Sequence, residues 1–383
     1  MSGLSRARSV LLLHNRYRTT GGEERAVYEI AALLSRRGHR VEVLERSSDE
    51  VGRAKAAVGL LGGGLDPGAV GAAVRRLRAE VVHAHNVHPT LGWRALAAAR
   101  AAGARTVLHL HNYRLFCAIG ISYRDGAPCF RCRETSTFPG VRLRCRGSLA
   151  EAIVYAAALH RQQPRLYEHV DRFVAVSAST AAHLRDLGLP ASLTATLPNF
   201  MPSDAFASES HAGAGEFALA VGRLTEEKGF DTAIATARAA DVPLVIAGAG
   251  PDERRLRGIA AGANVRFTGQ LAPAALAELR RRAAVMLAPS RWEEPCPYSV
   301  LEALAAGVPV LAADRGGLPE LVGEDATLPA TDRAAWASAL SELWKSPGLR
   351  AERGAAALRR ARQQFGEDRF YDGLMRLYET VSP

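Results

Sequence analysis

The segment Ser290-Arg-Trp-Glu-Glu-Pro-Cys-Pro-Tyr-Ser-Val-Leu-Glu302 puts a loop carboxylate, Glu294, just before the start of a helix and a second, Glu302, within it. A helix start exposes unpaired backbone N–H groups and a partial positive charge, which suits a phosphate. Glu294 beside it can bind sugar hydroxyls and Glu302 ribose hydroxyls. Ser299 followed by Glu302 also has the spacing of a capping box, in which Glu302 would serve helix stability alone. Near the other end of the chain, Thr19-Thr-Gly-Gly-Glu-Glu24 joins a strand to a helix. Gly21 and Gly22 there can bring backbone N–H groups close to an anion or a hydroxyl; alternatively they only make the turn, while Glu23 and Glu24 favour the helix dipole.

Histidines cluster at two strand ends, His83, His85 and His88 in one and His109 and His111 in the next. Open parallel sheets place ligands at the carboxyl ends of their strands. His83 and His109 alternate with aliphatic residues and read as packed. A zinc hydrolase built from these histidines is disfavoured, because no His-Glu-x-x-His helix is present. Four of the five cysteines, Cys117, Cys129, Cys132 and Cys145, form a central CxxC flanked by single cysteines with 11 and 12 residues between. Such spacing could make a tetrahedral zinc site that orders a stretch poor in apolar residues. Reduced thiols or one reversible disulfide remain alternatives.

The elements that position these residues follow a repeated rhythm. SVLLLH, VEVLE, VVHAH, TVLHLH and RFVAVS alternate with amphipathic stretches, including a helix from about Glu23 to Gly38 and one around Ala150 to Gln162. Asn112 to Gly147 is irregular. Residues 201–215 are small, polar and aperiodic, as an interdomain linker is. FALAVG, PLVIAG, NVRFTG, AVMLAP and VPVLAA then restart the rhythm. The expectation is α/β, two Rossmann-like doubly wound parallel-sheet domains facing across a cleft. Residues 1–200 form the first and 216–366 the second, and the C-terminal helical stretch, 350–378, packs back so that 367–383 joins the first.

At 383 residues the chain is long enough for two cores. Its net charge of +10 favours anionic partners such as nucleotide phosphates or an anionic membrane face. Nucleic acid is the weakest reading, since the arginines are scattered along helices without interleaved aromatics or zinc-finger spacing. No apolar run is long enough to span a membrane and the start lacks a signal peptide, so a cytoplasmic protein, peripheral at the inner membrane face at most, is expected.

The run from Pro289-Ser290 through Glu294 and Glu302 to LEALAAGVPV resembles the donor-site signature of glycosyltransferase family 4. The resemblance extends over nearly the full chain. Ala220-Val-Gly-Arg-Leu-Thr-Glu-Glu-Lys-Gly229 looks like that family's diphosphate-binding loop, which carries over Arg223 and Lys228 as cations for the departing diphosphate. IAGAGPDERRL and NVRFTGQL are similar to its nucleobase-lining loops. The resemblance therefore implies donor contacts at Gly222, Gly248, Gly250, Gly269, Cys296, Tyr298, Ser299, Val300 and Glu302. At Cys296-Pro297 the family usually has an aromatic residue followed by Gly, so the local sugar contacts differ here. HLHNYRLFC is similar to the pattern that puts a histidine, His111, beside the transferred sugar. Gly21, Gly22, His85, Asn86 and Asn112 fall on the acceptor side.

The resemblance implies the GT-B fold and a retaining transferase that moves a sugar from a UDP- or GDP-sugar to an acceptor hydroxyl, in cell-surface polysaccharide or glycolipid synthesis. Catalysis would rest on His111, Glu294, Arg223 and Lys228. No first-domain carboxylate stands out as a nucleophile, which fits a front-face reaction. No Asp-x-Asp motif is suitably placed, so no cofactor is required for catalysis. A transferase acting on a small secondary metabolite fits the same motifs. A non-catalytic sugar-nucleotide-binding protein would lack the Gly21 loop and His111.

Overall fold

The computed structural model describes residues 7–16 and 21–381, and divides them into two compact units. The first holds residues up to Ser122, Cys129–Pro198 and the chain from Phe370 onward. Its strands are β1 (Ser9–Arg16), β2 (Arg40–Ser47), β3 (Val81–Ala84) and β4 (Arg105–Leu110). A hairpin of β5 (Tyr123–Arg124) and β6 (Ala127–Pro128) follows, then β7 (Arg172–Ala175) and β8 (Thr194–Thr196). The second unit takes in that hairpin and Asn199–Arg369. Its strands are β9 (Phe217–Val221), β10 (Leu244–Ala247), β11 (Val265–Gly269), β12 (Ala283–Ala288), β13 (Val310–Ala313) and β14 (Thr327–Leu328).

Each unit has a six-stranded, wholly parallel sheet, ordered β2-β1-β3-β4-β7-β8 in the first and β11-β10-β9-β12-β13-β14 in the second. Parallel strands need crossover helices, which cover both faces, so the central strands read as unbroken aliphatic runs such as Val10–Leu13, entirely buried. The helix Gly22–Arg36 shows the complementary pattern. Its Ala26, Val27, Ile30, Leu33 and Leu34 recur at helical spacing and are buried, while Glu29 and Arg36 stay outside the core. In each sheet the order reverses once, between β1 and β3 and between β9 and β12. Such switch points open a crevice at the carboxyl ends of the strands, where ligands bind in this architecture.

The two five-strand readings each missed a short sixth strand, β8 and β14, too brief to show periodicity. Helices at Arg53–Gly62 and Pro67–Leu77 also went unread. The irregular stretch acquires the hairpin, turned by Asp125-Gly126 with φ 52° and 81°, the geometry a two-residue hairpin loop favours. The stretch 201–215 contains two 3₁₀ turns and belongs to the second unit. The C-terminal segment is two helices, Pro347–Phe365 and Glu367–Val381, separated by an extended Gly366. The last buries Phe370, Leu374, Leu377 and Tyr378 in the first unit, where the Tyr378 hydroxyl meets His83 Nδ1 at 2.8 Å. No single helix among the described residues is long and apolar enough to cross a membrane.

Candidate functional site

The switch point of the second unit is flanked by the loops leaving β9 and β12. The first loop, residues 222–229, carries Arg223 and Lys228; the second carries Ser290, Trp292 and Glu294. Glu294 is buried, and three donors converge on its carboxylate: Lys228 Nζ at 2.5 Å on Oε1, Ser290 Oγ at 2.9 Å on Oε2, and Trp292 Nε1 also on Oε2. The lysine ammonium also lies 5.3 Å from the Trp292 ring centroid. A carboxylate offers about four lone-pair directions, so one, on Oε1, is left for a ligand hydroxyl. Arg223 points outward, more than half exposed, 3.6 Å from Glu227.

The helix Tyr298–Ala305 begins two residues after Cys296, with Pro297 as N-cap and no side chain capping it. The capping-box reading of Ser299 and Glu302 is therefore wrong. Proline, which has no N–H to lose, occupies the position before the helix, and Ser299 and Val300 fall inside the first turn. Tyr298 and Val300 are buried there and Ser299 is half-buried. Glu302 instead pairs with Arg280, so ribose hydroxyls would have to share it with a guanidinium. Ser299 joins Lys228, Ser290 and Glu294 in lining one cavity.

Gly316 holds the Glu294 loop in place and was not singled out in the sequence. Its φ is +58°, and a Cβ there would overlap the Glu294 backbone. Its N–H donates to Glu293 at 2.6 Å, and the Gly317 N–H to the Glu294 carbonyl at 2.7 Å. The only sequence signal is a Gly-Gly after a strand. Gly248 and Gly250 allow close backbone approach, but to protein: a Cβ on either would overlap the carbonyl of Gly222 or Leu224. Gly269 ends β11 and accepts the Gly248 N–H at 2.9 Å. Cys296 is buried, its thiol pushed up to about 12 chiefly by that burial, and its carbonyl accepts Asn199 Nδ2 at 2.9 Å.

In the first unit, Thr19 and Thr20 lie outside the described residues. Gly21 is the extended N-cap of Gly22–Arg36, and its N–H is taken by Glu24 Oε2 at 2.8 Å. That N–H is therefore not available to an anion, as the reading of this loop had it; Gly22 is the first helical residue. Glu24, which the sequence offered only as a dipole partner, is buried 3.6 Å from His14 Nε2.

Because β3 and β4 are adjacent and parallel, alternate residues bring His83, His85, His109 and His111 into one stack of imidazoles. Burial foremost, then repulsion from neighbouring imidazoles, pushes His83, His85 and His111 well below the usual histidine range. Burial takes His109 down to about 3. All four are neutral, and His85 Nδ1 and His111 Nε2 share a hydrogen bond of 2.9 Å. His111 is only half-buried whereas the other three are buried, so it is the member exposed to a ligand. The ligand nitrogens of His83, His85 and His109 lie within 4.8 Å of one another. Asn86 and Asn112 do not present free amides. Asn86 donates to the Asn15 carbonyl at 2.6 Å and accepts the His88 N–H; Asn112 donates to Glu23 at 3.2 Å and accepts the Arg114 N–H. Asn86 ties two strand ends together, and Asn112 ties the end of β4 to the first turn of Gly22–Arg36.

Two parallel α/β units, each with polar residues gathered at its switch point, and a carboxylate paired with lysine beside an uncapped helix start suit a glycosyltransferase. Family models agree: "Glycosyltransferase Family 4" matches residues 20–204 and "Glycosyl transferases group 1" residues 203–360. The chain belongs to this group of glycosyltransferases. Phosphatidyl-myo-inositol mannosyltransferase of Mycobacterium tuberculosis is 28% identical over 94% of both chains. The protein of the same name from Mycobacterium leprae is 40% identical over a shorter stretch, 37% of this chain and 39% of that one. Sucrose-phosphate synthase from Thermosynechococcus elongatus has the same GT-B fold, with a TM-score of 0.72 at 18% identity over 97% of this chain and 98% of that one.

Proposed function

We propose that the protein transfers a hexosyl group, with retention of anomeric configuration, from a UDP- or GDP-sugar to a hydroxyl of a lipid-linked or cell-surface glycan acceptor. The observation that carries this reading is the Lys228–Glu294 pair beside the uncapped start of Tyr298–Ala305. The backbone N–H groups and Lys228 suit a diphosphate, and the remaining lone pair of Glu294 suits a sugar hydroxyl. Arg223, exposed on the same loop as Lys228, supplies a second cation. In a front-face reaction the acceptor oxygen bonds to the anomeric carbon as the bond to the diphosphate breaks. The acceptor proton passes to the departing phosphate oxygen. The cations stabilise the charge gathered there, and His111 steadies a hydroxyl of the sugar. No metal or other cofactor enters this scheme.

The relatives' names favour an inositol-lipid acceptor and a mannosyl donor. A membrane-surface acceptor also fits the first unit's exterior. Val58, Phe138, Leu149 and Ile153 are exposed on the helix Leu149–His169 and on the helices Arg53–Gly62 and Phe138–Arg142 that pack against it, among the exposed Arg53, Lys55, Arg142 and Arg161. Cationic surface with apolar residues suits anionic lipid.

The test is nucleoside-diphosphate release and thermal shift with a panel of GDP-mannose and UDP-hexoses, with NMR of the product's anomeric proton. A ligand of the folded state raises its melting temperature, so one donor should shift it and yield an α product from its α-linked sugar. A β product overturns retention. Absence of both shift and release with every donor overturns the donor reading.

A further inference from the structure

In the stretch that joins the histidine-bearing β4 to the helix Leu149–His169, the buried apolar side chains end at Tyr123. From Arg124 to Ala150 only Thr137 and Gly140 are buried, and the half-buried Phe130 ring stacks on His183 and meets Tyr113 edge-on. Its regular structure is the remainder of a two-residue-strand hairpin and the five-residue helix Phe138–Arg142. Its backbone is also strained. Of the seven non-glycine residues with positive φ among the described residues, Glu134 and Arg144 lie here, outside the hairpin turn. Strained backbone persists only where its surroundings over-determine it, and few apolar contacts do so here.

The four clustered cysteines do gather here. None of them is in a disulfide, and all are half-buried. Gly140 connects the members. A Cβ on it would sit 3.7 Å from the Cys132 sulfur and 3.7 Å from the Cβ of Ala118, next to Cys117, and its carbonyl accepts the Cys145 N–H at 3.0 Å. The Cys129 N–H donates to Ser122 at 2.6 Å, closing the hairpin immediately before the CxxC.

We propose that Cys117, Cys129, Cys132 and Cys145 together hold one structural zinc ion in the first unit. Four soft sulfur donors at C-x11-C-x2-C-x12-C spacing suit a tetrahedral d¹⁰ cation. Binding releases the thiol protons and turns four mutually unfavourable thiolates into ligands. The ion supplies the cross-links this stretch lacks, and it takes no part in the sugar transfer proposed above.

The test is metal analysis of the full-length protein purified without added metal or chelator, with the cobalt-substituted protein examined by absorption spectroscopy. About one zinc per chain is expected, as in closed structural sites. Cobalt should give a thiolate-to-metal charge-transfer band with tetrahedral visible bands. A spectrum without the sulfur band would assign the ion to the imidazoles of His83, His85 and His109 and overturn the proposal. So would iron in place of zinc, no metal at all, or a disulfide seen as a mass loss. Cys132→Ser should lose most of the zinc, whereas Cys296→Ser, outside the cluster, should keep it; retention in both refutes the assignment. If Cys132→Ser does not fold, stepwise titration of the native protein with a mercurial reagent reads the same point, zinc leaving as about four thiols react.

Discussion

Replacing Lys228 with methionine keeps an unbranched side chain one atom shorter and removes the charge, which separates the structural from the chemical use of the Glu294 pair. Glu294 is about 4% exposed and the lysine about 22%. Breaking a fully buried pair costs about 3–5 kcal/mol, and an exposed one about 0–1 kcal/mol. Here the carboxylate keeps Ser290 and Trp292 as donors, and the lysine is partly solvated. The cost to folding should therefore be about 1–2 kcal/mol, or roughly 2–8 °C in Tm for a unit of this size. The cost to transfer should be larger. Losing one fixed donor from a developing anion lowers kcat by about 100- to 1,000-fold, some 2.7–4 kcal/mol.

The assay is steady-state kinetics at saturating acceptor, with Tm measured on the same samples. A fall in kcat and kcat/KM together, with a modest Tm shift, places the ammonium on the transition state. If the Met variant melts lower yet turns over at nearly the native rate, the pair is structural and the proposed use of Lys228 fails. The double variant with Glu294→Gln then gives the coupling between the two residues directly.

Gly316→Ala should lower turnover more than stability, because the new Cβ collides with the Glu294 backbone and moves the carboxylate; a shift of about 1 Å can cost about 100-fold in rate. Native kinetics in that variant would show that the Glu294 position is not critical. Acid should unfold the first unit early. His88 and His109 are held down to about 4 and about 3 by burial, below an unfolded value near 6.5. The unfolded chain therefore binds more protons as pH falls below about 6.5, and stability drops by about 1.4 kcal/mol per pH unit for each such group until its folded value is reached. Chemical denaturation between pH 7 and pH 5 should reveal this slope, and His109→Phe should lessen it by one proton; a flat profile contradicts the neutral stack.

What the sequence made legible follows from the range of the interactions involved. Aliphatic runs and glycine turns are local, so the two sheets and the Glu294–Glu302 region could be read from short windows. The alternation in VVHAH and TVLHLH likewise put the histidines on one face. Their partners could not be read: the Tyr378 hydroxyl on His83 is 295 positions away, and nothing near either residue announces the other. Asn86 and Asn112 have the chemistry to bind a sugar, but folding already engages their amides, Asn86 with backbone groups at the strand ends and Asn112 with the Glu23 carboxylate and the Arg114 N–H. The capping-box alternative at Ser299 set the helix start two residues too late, since the spacing of a capping box does not reveal that Pro297 is the N-cap. Gly316 was missed because its reason for being glycine is a loop on another strand; its hydrogen bond to Glu293 spans 23 residues.

The same distinction bears on what Glu294 is for. A buried carboxylate with three donors could be read as a fastener, yet a buried ion pair is weak evidence of stability, since an apolar pair of similar size often holds as well or better. A fastener has no need to lie at a switch point, beside a helix start that no side chain caps, with one carboxylate lone pair left over. Those three features are superfluous for stability and are what a sugar diphosphate would require. Under the function proposed above, the paired charges of the β9 and β12 loops are better explained by a bound sugar diphosphate than by the fold they join.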